Sequence, residues 1–172
     1  MSRFATLLLL LILTSPAAAL AGDPPAVAAQ GVARLSGTWR LVETRQVMAD
    51  GAVRPDPDLG PRPAGYMMYD AATGRVCTVF DDTTRPRWAA ARPTDTEART
   101  MFNQTVAYCG RYRVDEARRI ITFDLEVSMS PNSAGTSRER RFELSGDRLT
   151  LYPRPLPAGV TDWSVRLERV RR

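Results

Sequence analysis

The chain has 172 residues and a formal net charge of +5 at pH 7, from 24 basic residues, all arginine, against 19 acidic ones. With neither lysine nor histidine, it has no lysine Schiff base, no Ser-His-Asp triad, no Cys-His pair and no histidine-ligated zinc. Any acid–base group has to be Asp, Glu, Tyr, Cys or a water, and arginines spread along the chain, not clustered with aromatics, speak against a nucleic-acid partner.

Met1-Ser2-Arg3 is a short basic start, Phe4 to Leu13 is an apolar run too short to span a bilayer, and Ala19-Leu20-Ala21 is a small-x-small site. This pattern is a secretory signal peptide over residues 1–21, cleaved after Ala21. An uncleaved anchor is the rival reading, disfavoured because no further apolar residues extend the run. Cleavage leaves roughly 150 residues, enough for one domain with a sizeable core. The expected compartment is periplasmic or extracellular, with no stable membrane insertion after cleavage. Residues 22–35 form an Ala/Pro-rich leader without periodicity, expected to be a disordered tether, and residues 36–172 form the domain.

Ser36 to Val47 reads as a strand running into the turn Ala49-Asp50-Gly51. Pro55, Pro57, Pro61 and Pro63 exclude a central strand and mark a loop crossing an edge or a barrel mouth. A hairpin follows, from Ala64 to Tyr69 and from Arg75 to Phe80. Thr94-Asp95-Thr96-Glu97 is a capping box, and Ala98, Met101, Phe102 and Thr105 recur at helical spacing, so one helix is expected here. Strands at Val106 to Val114 and Arg119 to Ser130 come next, then a hairpin of Ser137 to Leu144 and Arg148 to Tyr152. A second Pro-rich loop, Pro153 to Gly159, precedes the last strand. Many strands with close turn signals and one helix predict an all-β fold, an antiparallel up-and-down barrel of about 8–10 strands. A sandwich is the alternative.

Alternation puts Trp163, Val165, Leu167 and Arg169 on one face of the last strand, so an arginine stands in register with an apolar row. Such an arginine needs a receiver, and Trp39 on the first strand offers an aromatic face. Sheet closure would bring the two together at one end of the barrel. Cys77 and Cys109 alternate with aromatic and apolar residues of their strands, so both sulfurs face outward if the aromatic rows face inward. Either they form a disulfide across adjacent strands, which an exported chain favours, or they are two free thiols under surface side chains.

Gly37-Thr38-Trp39, Gly65-Tyr66-Met67-Met68-Tyr69 with its Gly74-Arg75 turn, and Tyr108-Cys109-Gly110-Arg111-Tyr112 occur in that order. Glu126-Val127-Ser128 running into Pro131-Asn132 and then Gly135-Thr136, Arg141-Phe142-Glu143-Leu144, and Gly146-Asp147-Arg148-Leu149-Thr150-Leu151 complete the series. The series resembles the bacterial and fungal lipocalin-like domain family over nearly all of residues 36 to 170. The resemblance implies a small calycin-type barrel able to hold a small, largely apolar molecule, with Trp39 and Arg169 in the closing roles of a first-strand Trp and a last-strand Arg. Many relatives carry histidines where this chain has Phe123 and Asp124, so no histidine-based activity is carried over. The aromatic step that follows Pro-Asn in relatives is replaced by Ser133-Ala134.

Candidate interior residues are Tyr66, Met68, Phe80, Tyr108, Tyr112, Phe123, Arg140 and Phe142, with Val127 continuing the row of Phe123 and Leu125. Each is either plain core or the lining of a ligand cavity. Arg140, in phase with Phe142 and Leu144, either clamps a ligand carboxylate or forms a structural ion pair, with Glu126 as a partner if that side chain turns inward. Asp124 and Glu126, with no nucleophile beside them, receive no catalytic role, and Asp81-Asp82 is a poor calcium signal. No cofactor or metal is implied, and the oligomeric state is not encoded in any pattern. The expected function is binding of a small hydrophobic or amphipathic molecule inside the barrel. The alternatives are an isomerase or cyclase using the same cavity, and a filled barrel serving as a structural or interaction module.

Overall fold

The computed structural model describes residues 26–171; the expected signal peptide and the start of the leader lie outside them. The elements in chain order are α1 (Ala26–Leu35), β1 (Gly37–Met48), β2 (Val53–Arg54), β3 (Pro63–Asp70), β4 (Arg75–Asp82) and α2 (Asp95–Asn103). They continue with β5 (Thr105–Asp115), β6 (Ile120–Ser128), a single 3-10 turn (Pro131–Ser133), β7 (Ser137–Ser145), β8 (Arg148–Pro153) and β9 (Val160–Arg169). One antiparallel sheet runs in the order β2-β1-β3-β4-β5-β6-β7-β8-β9, and β1 also pairs with β9. That second pairing closes 8 strands into an up-and-down barrel, with β2 as a short extra strand. Closure removes the edges that an open sheet would leave for other chains.

The expectation of a disordered leader is corrected, because residues 26–35 are helical. The Ala-rich sequence has high helix propensity, and burial of Leu35, fully inaccessible, anchors the helix against the barrel. Apolar periodicity is too short here to be read in advance, since Val32 and Leu35 are the apolar residues of the last turn that meet the core.

The end of α1 is where the barrel closes. The last carbonyls of a helix have no partner within it and need donors from elsewhere. Here the Tyr112 hydroxyl donates to Val32 O at 3.1 Å, and the Trp39 indole N–H donates to Leu35 O at 2.8 Å. Arg169 donates through Nη2 to Arg34 O at 2.7 Å and through Nη1 to Ser36 O at 2.5 Å. Its guanidinium carbon sits 4.1 Å from the centre of the Trp39 ring, and the two residues are paired across β1 and β9. One arginine thus receives the negative end of the helix dipole on one side and an aromatic face on the other. Gly37, at φ 123°, makes the approach possible, because a Cβ there would lie 3.0 Å from Arg169 Nη1.

The core fills this closed half with Trp39, Leu41, Met67, Val76, Ile121, Phe123, Leu149 and Leu167, all buried. The Tyr69 and Tyr112 rings meet edge to face at 4.9 Å. On the outer face, Cys77 and Cys109 stand directly opposite each other on β4 and β5 and are bonded. The barrel wall is therefore cross-linked as well as hydrogen-bonded.

Truncating Trp39 removes a fully buried ring together with the indole cap of α1. Trp39→Ala is expected to lower stability by about 3–5 kcal/mol, measured by urea unfolding; a loss under about 0.5 kcal/mol would show that the ring is not buried.

Candidate functional site at the open end of the barrel

Two bulges decide what the interior presents away from α1. β1 pairs Leu41 with Leu167 but Glu43 with Arg166, so Val42 is an extra residue and the inward parity changes. Beyond it the buried positions of β1 are Thr44 and Gln46 instead of apolar residues. In β6, Cys109 pairs with Val127 but Gly110 with Leu125, leaving Glu126 as the extra residue. The close approach depends on Gly110, since a Cβ there would collide with the Asp124 carbonyl. The bulge turns Val127 outward, 60% exposed, which corrects its expected place in the inner row.

The open half is consequently polar inside. Thr44 Oγ1 and Thr78 Oγ1 are buried there without a hydrogen-bond partner, as is the Tyr69 hydroxyl of the core. Unmatched buried polar atoms are uncommon, each costing on the order of 1–3 kcal/mol. Burial holds the Tyr69 hydroxyl well above the usual phenol range, and pushes Tyr112 up to about 12. β7 adds two arginines on its inner face, Arg138 opposite Phe123 and Arg140 opposite Ile121. Burial, opposed by the nearby Tyr108 and reinforced by repulsion from Arg138, draws the Arg140 guanidinium below its ordinary value.

The mouth is built by loops. In the first Pro-rich loop the buried Asp56 accepts from Asp58 N at 2.9 Å, while its own carbonyl accepts from Gly60 N at 2.8 Å. This tight turn carries Leu59 into the core and sets the loop across the barrel opening. Burial raises the Asp56 carboxyl, with the Asp58 amide and the Trp163 side chain opposing. On the other side α2 begins at the expected capping box, with Thr94 and Glu97 bonding each other's backbone. Arg85 ties the helix to the wall, donating to Met101 O of α2 at 3.4 Å, to Thr105 Oγ1 of β5 at 3.0 Å and to Asp81 of β4. Between these walls lies a concavity of about 650 Å³ lined by residues that include Phe102, Gln104, Val106, Met129, Ser133 and Arg138.

The structure places Phe80, Tyr108, Tyr112, Phe123, Arg140 and Phe142 on the inner face. Two candidates are corrected. Tyr66 and Met68 point outward, 49% and 48% exposed, and their neighbours Met67 and Tyr69 take the interior. In the string Tyr-Met-Met-Tyr both phases are equally apolar, so alternation cannot choose. The choice comes from β4, where Val76, Thr78 and Phe80 face in and pair with Tyr69, Met67 and Gly65. The notion of an Arg140–Glu126 pair is also corrected, since Glu126 turns outward to Arg75 at 2.5 Å and Arg111 at 3.2 Å. Asp124 likewise pairs with Arg113 at 3.2 Å and accepts from the Ser137 hydroxyl. Residues not foreseen in the interior are Thr44, Gln46, Thr78 and Arg138. Thr78 and Arg138 were findable by parity with Phe80 and Arg140; Thr44 and Gln46 were hidden by the bulge.

With this architecture in place, the family assignment has structural meaning. Residues 36–167 match the lipocalin-like domain, and the chain belongs to that family. A search among curated proteins found no match.

The register of β3 has a direct test. Met67→Ala should cost about 2–5 kcal/mol in urea unfolding, and Met68→Ala less than about 0.5 kcal/mol. Equal losses, or the reverse order, would contradict the inward assignment of Met67 and Tyr69.

Proposed function

We propose that the protein is an exported carrier that holds a small hydrophobic or amphipathic molecule in the open half of its barrel. The observation that carries this reading is the group of buried hydroxyls without partners, Thr44, Thr78 and Tyr69, placed inside a barrel whose closed end is packed with apolar side chains. A barrel serving only as a scaffold gains nothing from leaving those groups unmatched, whereas a bound molecule or its attendant water satisfies them. The barrel fold of the lipocalin-like family is a ligand-binding fold in general. Export is supported by the signal-like N-terminus and by the Cys77–Cys109 bond, which persists in an oxidising compartment.

Native mass spectrometry of protein purified from its own host is the test. A noncovalent small molecule that leaves on denaturation is expected. The bare chain mass in both native and denaturing spectra, across preparations, would count against a carrier.

A further inference from the structure

We propose that the concavity at the barrel mouth binds a neutral saccharide, with a sugar ring against Phe102 and hydroxyls shared by Asp58 and Arg138. The inference concerns the rim and goes beyond the carrier reading, which rests on hydroxyls of the interior, so either can fail without the other.

Asp58 comes from the first Pro-rich loop and Arg138 from β7, and both line the same hollow of about 650 Å³, an ordinary size for a small-molecule site. On the outer wall acids and arginines find each other: Glu126 holds Arg75 and Arg111, Asp124 holds Arg113, and Glu43 holds Arg166. Among the described residues neither Asp58 nor Arg138 takes part in an ion pair. Arg138 donates to the Ser133 hydroxyl at 2.5 Å and keeps further N–H groups for another acceptor. A simple anion in this hollow would meet the Asp58 carboxylate, and a simple cation would meet the guanidinium. The opposed charges favour an uncharged molecule whose polar groups both donate and accept, and hydroxyls do both.

The rest of the wall fits the same chemistry. Asn103 and Gln104, at the end of α2, bring amides to the hollow, and Ser130 brings a hydroxyl from just beyond β6. Gln104 Oε1 is buried without a donor, which a ligand hydroxyl or its attendant water supplies. The other buried acceptor nearby, Asp81 Oδ1, belongs to a separate hollow beside Arg85 and Trp88 and takes no part. Phe102, in the last turn of α2, lines the concavity with 46% of its surface exposed. A flat ring left in water beside hydroxyls and amides matches a pyranose, which has an apolar C–H face and a polar edge. Neighbouring hydroxyls on such an edge can give two bonds to one carboxylate or accept two from one guanidinium.

An amide chemical-shift titration by NMR on the exported protein tests this, with cellotetraose, maltotetraose, chitotetraose and mannotetraose as probes and L-alanine as a zwitterionic comparator. At least one saccharide is expected to shift the amides of residues 102–106 and 128–130 in a saturable way. Phe102→Ala and Asp58→Asn, both at exposed positions, should each weaken that binding about tenfold or more while leaving urea unfolding unchanged. Val127→Ala, on the outer wall, should leave it as it was. No saturable shift with any saccharide up to about 20 mM would overturn the proposal. So would shifts confined to other parts of the barrel, binding undiminished in both variants, or binding of L-alanine alone.

Discussion

The structure depends on one residue meeting two obligations at once. The carbonyls at the end of α1 need donors, and a guanidinium on an inward phase of β9 needs acceptors. Arg169 supplies the donors and finds its acceptors in Arg34 O and Ser36 O, with the Asp147 carboxylate 3.4 Å from its Nε and the Trp39 ring covering its face. Each need alone would be costly: an uncapped helix end docked on a protein surface, or a charge held against an apolar row. Met together, they pin the helix to the barrel and join the first long strand to the last.

This clasp makes the barrel asymmetric. At the α1 end the interior is filled by the buried side chains of Trp39, Met67, Ile121, Phe123, Leu149 and Leu167. Beyond the Val42 bulge the inner wall of β1 becomes polar, and the Pro-rich loop and α2 flank the opening. The apolar packing is thus concentrated at the α1 end, while β1 presents Thr44 and Gln46 to the interior at the other. Unmatched buried groups lower stability wherever they occur.

Much of this was legible in the residues. Trp39 and Arg169 announced closure because a charge in phase with Trp163, Val165 and Leu167 has few stable solutions. The capping box at Thr94 located α2 because its chemistry is local. What stayed hidden has equally plain causes. The Tyr66 to Tyr69 string is apolar in both phases, so its frame is set by the β4 strand it pairs with. The bulges at Val42 and Glu126 shift parity without any sequence marker beyond Gly110. Glu126 faces out because Arg75 and Arg111 bracket it across neighbouring strands, a relation visible only once β4, β5 and β6 are aligned. The helix at residues 26–35 depends on docking through Leu35, which a local reading cannot foresee.

If the clasp is the constraint on which closure rests, its loss should be felt first in α1. Hydrogen–deuterium exchange on Arg169→Met tests this directly. The account predicts that backbone amides of residues 26–35 lose their protection, while amides of β4 and β5 beside the Cys77–Cys109 bond keep theirs. Unchanged protection of α1 in the variant would contradict the claim that Arg169 holds the helix and closes the barrel.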